Sequence, residues 1–329
     1  MKNNHSSLRA QSKTASLIKL IVAAVILIVL IVMPFVGGAY IRNILILIFL
    51  YMAVSQMWNL LAGYTGLVSL GMQAFIGLAG YVLALTTQQY GKPIWLAFIL
   101  AAVIAVVFAL IISLPIFKMK GVYFTIGTWI IAEALYVFFA NWAFVKYSIG
   151  YNITVAYRMN LNTFYYLCLV IGIVSIAVVL FILRSKTGLA LMAMRDNEDA
   201  AEVRGVRLYR TKLMCFLIAS VVTAIAGVAL YLNLAYIRPT NAFSIEWTVS
   251  MVFIVIIGGI GTIEGPIIGA IIYVLLSQIL YNFAGYSNLI LGIIAVILIM
   301  VAHKGILGYL EERFAWDIFG IRRRIKPKS

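Results

Sequence analysis

The chain is 329 residues long, 64% hydrophobic and only 11% charged, with a mean hydropathy of +1.08. Soluble domains average about 25% charged residues, so the main solvent here is bilayer, and no long polar region remains to enclose a separate soluble domain. A net charge of +15 raises nucleic acid as a partner, but the placement of that charge along the chain argues against it.

In chain order, a polar tail over 1–16 is followed by apolar runs of about 20 residues, shorter where glycine interrupts them. The expected spans are 17–35, 41–62, 67–86, 94–114, 121–141, 163–183, 212–234, 246–258, 266–282 and 286–302, with a basic tail over 303–329. The first run, Leu17 to Met33, is long enough to span and lacks a small-residue cleavage site, so it is expected to be a retained helix. The fold class is therefore an all-α integral membrane protein with one transmembrane domain over 17–302.

Charge sets the topology. With the N-terminus in the cytoplasm and the sides alternating, inner segments hold twenty of the twenty-five Lys and Arg residues. Cytoplasmic loops carry the basic excess in membrane proteins, so about ten spans with both ends inside are expected. The excess is topogenic, and no nucleic-acid partner is implied. In the tail, Leu307, Leu310, Phe314, Trp316 and Phe319 among many charges suggest an interfacial helix against anionic membrane lipid.

Two stretches break the apolar pattern. Gly63 to Gly80 (GYTGLVSLGMQAFIGLAG) contains Gly63, Gly66 and Gly71, and Gly258 to Ala270 (GGIGTIEGPIIGA) contains Gly258, Gly259, Gly261, Gly265 and Pro266. Interior glycine costs a helix roughly 1 kcal/mol against alanine. In a membrane it permits close backbone approach, or a helix break where a cavity is lined. The short span 246–258 followed by these glycines, with Pro266 opening the next, fits two partial helices at a re-entrant turn or a tight cytoplasmic hairpin.

Catalytic groups are scarce. His5 and His303 lie far apart at the ends of the chain, and Cys168 and Cys215 sit in apolar runs without metal or redox spacing. There is no Gly-rich loop ending in Gly-Lys-Ser/Thr and no aspartate-rich metal motif. No enzyme, no metal site and no cofactor of its own are expected. Glu133 lies about 13 residues into its span, roughly 20 Å from the inner end. An intramembrane carboxylate is a functional hypothesis by default. It suits a polar pathway or a substrate ammonium, or else a hydrogen bond to a neighbouring helix or a place near the outer interface. Ser69, Gln73, Thr125 and Thr262 are further polar groups inside apolar spans and so candidates to line a pathway, though small hydroxyls also serve helix packing. Glu246 suits a helix N-terminus, and Glu264 a solvated turn.

The segment 184–212 is the longest charged interior stretch. In its core, Arg195, Asp196, Glu198, Ala200 and Ala201 precede Gly205. Asp196 is placed to cap a short helix that Gly205 ends, giving a docking knob for a soluble partner or a solvated loop.

Five blocks, in order, resemble one family. They are the block from Asn59 to Ala84 with GYTGLVSLGMQAFIGLAGYVLAL, which runs from Gly63 to Leu85; Lys120 to Phe124 with Ala132-Glu133; RDNEDAAEVRGVRLYRTK; Ala226-Gly227 with IIGGIGTIEGPIIGA; and His303 to Leu307. From about Ile41 to Phe314 the chain resembles the permease subunits of bacterial ABC importers for branched-chain amino acids, the LivM/LivH family. The resemblance implies a permease domain in the bacterial cytoplasmic membrane that works by alternating access. The implied partners are cytoplasmic ATPase subunits that use the ATP, a second permease subunit (a sister or the chain itself), and an extracytoplasmic substrate-binding protein. It also implies that the segment around Arg195 to Gly205 couples to the ATPase. One departure is that 141–162 lacks the Thr-Gly-Gly outer loop frequent in the LivM branch. The alternatives are a permease for another small polar solute (urea or amide, sugar, nucleoside) and an ATP-independent secondary transporter, which should carry more buried ionisable groups than Glu133 alone.

Overall fold

A computed structural model of the chain describes residues 21–22, 24–280, 290 and 292–293. The expected tails 1–16 and 303–329, and nearly all of the expected span 286–302, lie outside the described residues.

The helices are α1 (Ala24–Val36), α2 (Ala39–Asn59), α3 (Gln73–Ala84), α4 (Ile94–Ile116), α5 (Val122–Asn141) and α6 (Val155–Arg158). Then come α7 (Leu161–Arg184), α8 (Lys186–Asp196), α9 (Glu198–Val203), α10 (Leu208–Leu234), α11 (Pro239–Ala242), α12 (Glu246–Gly258) and α13 (Glu264–Leu280). α2 runs on through a wide π turn, Leu60–Thr65, and α3 through another, Leu85–Gln89. Two short strands, β1 (Tyr151–Asn152) and β2 (Tyr236–Ile237), pair antiparallel with Tyr151 opposite Ile237. Among the described residues, six helical stretches are long and apolar enough to cross a membrane: 39–65, 94–116, 122–141, 161–184, 208–234 and 239–258.

α2 and α10 form the centre. The apolar window of α2 is 78% buried and that of α10 67%, against 28% for α4 and 22% for α5. α2 packs on α7, α10, α12 and α13, and α10 also packs on α3 and α4. Between apolar helices in lipid, close packing rather than exclusion of water holds the elements together. Small residues make that possible: Ala97, Ala101, Ala105 and Ala109 form a buried stripe along α4, while Val103, Val107 and Ile111 of the same helix face outward. α12 and α13 form an antiparallel hairpin of the same kind. A methyl on Gly258 would overlap the Gly265 carbonyl, and one on Gly269 the Ile254 carbonyl.

Two expectations are corrected. The expected span 67–86 starts as helix only at Gln73, because the chain leaves α2 through Gly66 at φ +77°, a left-handed conformation that side chains disfavour. Within the segment 184–212, α10 already starts at Leu208, and Lys212 is buried within it. The cap of the short helix α9 is Asn197 and not Asp196: its Oδ1 accepts the Ala200 N–H at 3.0 Å, while Asp196 is the last residue of α8. An Asn oxygen in extended backbone is a strong N-cap.

Candidate functional site: two glycine breaks and the helix pair that joins them

Residues 66–72 lie between the helices, and neighbours supply partners for several of their polar groups. Leu67 donates to the Leu61 carbonyl at 3.1 Å. Thr125 Oγ1 on α5 donates to the Val68 carbonyl at 2.8 Å, and Thr128 Oγ1, three residues on, accepts the Leu70 N–H at 3.1 Å. The indole of Trp58 donates to the Ser69 carbonyl at 2.8 Å, and Ser69 Oγ accepts the Gly71 N–H at 3.2 Å. Irregular backbone at membrane depth is tolerated only where protein satisfies it, and here α2 and α5 do so. Gly71 is pressed against the Thr128 backbone, leaving no room for a side chain. Gln73 opens α3 inside the bundle, its Oε1 accepting the Thr248 hydroxyl of α12.

The second break is the elbow between α12 and α13, residues 259–263. Asn59 of α2 grips it from both sides of its amide: Nδ2 donates to the Thr262 carbonyl at 2.7 Å, and Oδ1 accepts the Gly261 N–H at 2.8 Å. One turn back on α2, Gln56 Nε2 donates to the Ile263 carbonyl at 2.6 Å. Thr262 folds its own hydroxyl into the elbow, donating to the Gly259 carbonyl at 2.7 Å and accepting the Gly265 N–H at 3.1 Å. Gly261, at φ +74°, lies against Gly63: a methyl on Gly63 would meet the Gly261 nitrogen at 2.7 Å. The two breaks thus touch. Glu264 and Pro266 sit in the first turn of α13, places suited to a carboxylate and to a residue without an N–H.

α8 lies against this junction, and α9 packs on α8 and α10. α8 buries Gly188, Leu191 and Met194, and α9 buries Ala201. Gly205 closes the turn after α9, donating to the Glu202 carbonyl at 2.8 Å. Two ion pairs involve α9, one buried and one exposed. Glu198 accepts from the buried Lys212 ammonium of α10 at 2.7 Å, and exposed Asp199 meets Lys120, ahead of α5, at 3.6 Å. A cleft of about 780 Å³ opens beside them, lined by Phe117, Lys120, Glu202, Arg207 and Arg210 among others. Arg195, Asp196 and Ala200 are exposed.

Glu133 faces outward from α5, in a shallow groove of about 540 Å³ lined otherwise by Trp129, Ile130, Ala134, Val137 and Phe138. At the opposite end of the bundle from α8 and α9, the connection 142–160 is a built cap. Its strand pair joins β2, Tyr236 Oη donates to the Ile149 carbonyl at 2.8 Å, and Lys146 lies 4.8 Å over the Tyr151 ring. Burial pushes the Tyr151 phenol above its ordinary range. Among the described residues no group of His, Cys, Asp and Glu is arranged to hold a metal ion.

Of the residues singled out in the sequence, Gly63, Gly66, Gly258, Gly259, Gly261, Thr262, Gly265 and Arg195 meet at this one junction. Ser69, Gly71 and Thr125 belong to the first break, and Gln73 lies deeper in the bundle. Glu133 is set apart on the outer face of α5. Sequence reasoning missed Gln56, Asn59, Trp58, Thr128 and Thr248. The signal for the first two was present: amides three residues apart in an apolar run lie on one helix face.

An assembly of apolar helices, broken at two glycine segments whose backbones are satisfied by other helices, defines a multi-pass membrane protein of the transporter class. Residues 40–302 match the family described as "Branched-chain amino acid transport system / permease component". The chain belongs to that family and is a permease component of the ABC importer type, whose members lack an ATPase site of their own. It is 23% identical over 313 residues to the high-affinity branched-chain amino acid transport system permease protein LivM of Escherichia coli K12, covering 86% of this chain and 73% of that one. It is 22% identical to the fructose import permease protein FruG of Bifidobacterium longum, covering 87% and 90%. A probable LivM of Methanocaldococcus jannaschii is 29% identical over 192 residues, covering 56% and 55%. No solved structure matches the chain.

Proposed function

We propose that this chain forms one half of the membrane channel of an ATP-driven importer for branched-chain amino acids in a bacterial cytoplasmic membrane. It spans ten times with both ends inside. A second permease subunit covers the α5 face, cytoplasmic ATPases dock on α8 and α9, and an extracytoplasmic binding protein delivers substrate to the cap over 142–160. Substrate passes between the two permeases as they alternate between inward- and outward-facing states, with Glu133 on the path and the glycine breaks as the elements that move.

The observation that carries this reading is the α5 face. α5 is the least buried of the membrane-length helices, yet it holds the first glycine break and carries Glu133 exposed on its outer side. A carboxylate facing lipid at the bilayer centre costs at least about 2.5 kcal/mol, and a partner subunit enclosing an aqueous path removes that cost. A carboxylate among Trp129, Ile130, Val137 and Phe138 also suits a solute with an ammonium and an aliphatic side chain. The similarity to FruG supports a second reading, a sugar permease.

The test is purification of the tagged protein from mild detergent with identification of the co-purifying chains, followed by leucine uptake in vesicles. An ATPase and a second permease chain or copy, with uptake dependent on ATP, are expected. Recovery of a lone monomer that transports without ATP would refute the reading. Uptake of fructose in preference to leucine would select the sugar reading.

A further inference from the structure

Arg195 is an exposed arginine at the end of α8 with no ion-pair partner among the described residues. Its surroundings explain it differently. Its side chain lies over the elbow: a methyl on Gly261 would meet Nη1 at 2.7 Å and Cζ at 3.5 Å. Its backbone lies against the other break, Cα standing 3.8 Å from where a methyl on Gly66 would be. The same point on Gly261 lies 3.1 Å from the Gly63 carbonyl oxygen. One residue of α8 therefore bears on both glycine breaks where they touch. The fit requires glycine on the other side, since any side chain at 261 would displace the guanidinium.

We infer that Arg195 is a positioning residue that transmits displacement of the α8–α9 pair to the α12–α13 elbow, through the membrane domain and not through contact with the partner ATPase. The inference rests on the proposed docking of an ATPase on α8 and α9. The mechanics follow from the ties. α9 is fastened to α10 by the buried pair of Lys212 with Glu198, so a push on α9 pivots α8. On the elbow side, Asn59 and Gln56 clamp the turn to α2. The rigid planar guanidinium lies between the moving pair and the clamped turn, against Gly261.

The test uses the intact complex and needs no substrate. The natural cysteines, Cys168 and Cys215, are both buried, so Ile260→Cys, at an exposed elbow position, is the site that a maleimide reaches. Its labelling rate is measured in the co-purified complex without nucleotide and with ATP plus vanadate, in three backgrounds: Arg195, Arg195→Lys and Arg195→Ala. With Arg195 the rate should change by about fivefold or more, the lower range of measured site-to-site coupling. In Arg195→Ala the change should vanish while the ATPase still co-purifies and hydrolyses ATP, and Arg195→Lys should restore part of it. Loss of the ATPase from Arg195→Ala complexes would show a docking role and overturn the inference. So would an unchanged labelling response in Arg195→Ala, or a static elbow with Arg195 present. If no ATPase accompanies even the unsubstituted protein, the underlying docking reading fails, and this inference with it.

Discussion

Glu198→Gln is the substitution with the most legible consequence. In the protein the Lys212 ammonium meets Glu198 at 2.7 Å, with the side chains 9% and 29% exposed, respectively. At an effective dielectric near 20 the gross attraction at that distance is roughly 6 kcal/mol, most of which offsets the desolvation of the two charges. Removing one partner of a buried pair costs about 3–5 kcal/mol, because the other charge is left buried alone. Glu198 is partly reached by water, so about 2 kcal/mol is the appropriate figure here. The cost falls on α9, a six-residue helix that buries only Ala201. Its cheapest escape is local: α9 lifts off and Lys212 is hydrated.

An opening made cheaper by about 2 kcal/mol is populated roughly thirtyfold more. Arg204 and Arg207 flank the turn after α9 and are exposed, so trypsin reports the opening, its rate tracking the open population when reclosing is fast. Glu198→Gln should therefore be cleaved about thirtyfold faster in detergent micelles at equal fold content. Glu198→Leu with Lys212→Met should return cleavage close to the natural rate, because replacing both charges by apolar groups leaves nothing unpaired. Cleavage of Glu198→Gln at the natural rate, or a double variant as labile as the single one, would refute the reasoning.

Three further outcomes follow from the geometry. Asn59→Ala removes a donor and an acceptor from the elbow and leaves the Gly261 N–H and Thr262 carbonyl without them. At about 1–3 kcal/mol per unsatisfied buried group, thermal unfolding in detergent should show a clear loss of stability, and Asn59→Asp, which buries a carboxylate against the Thr262 carbonyl, at least as large a one. Gly258→Ala forces a methyl into the Gly265 carbonyl and should abolish recovery of folded protein by size-exclusion chromatography, whereas Gly38→Ala, with open space around it, should be neutral. Glu133→Gln should leave folding and assembly intact but lower leucine uptake in vesicles about tenfold or more, the loss expected of one charge-assisted contact; unchanged uptake would remove Glu133 from the path.

The six long apolar helices were legible because each is a run of apolar residues, and a run needs no tertiary information to be seen. The glycine clusters were legible for the same reason in reverse, since they oppose helix in any context, although 67–72 reads from the sequence as part of a span. What the sequence could not show is who satisfies the broken backbone. Thr125 and Thr262 look from the sequence like groups lining a path, because a hydroxyl in an apolar run needs a partner. The structure gives them backbone partners, Val68 for Thr125 and Gly259 and Gly265 for Thr262. The contact between Asn59 and Gly261 joins residues 202 positions apart, and no local pattern encodes it. Asp196 and Asn197 compete as caps on equal chemical terms, and the turn geometry between α8 and α9 decided for Asn197.

The satisfied break also explains how a helix interruption can be both stable and movable. A continuous helix holds each amide within its own turn, so bending it in lipid exposes a polar group at a cost of several kcal/mol. Over 66–72 and at the elbow, several amides and carbonyls are paired with side chains of α2 and α5 and with hydroxyls within the breaks themselves. Side-chain partners sit on rotatable bonds, so they follow a displaced backbone where a helical partner cannot. The small residues at the junction leave its backbones in direct contact, so a shift of one is felt at once by the other. The alternation proposed above needs segments able to move without unpairing, and these are the segments that Arg195 of α8 touches.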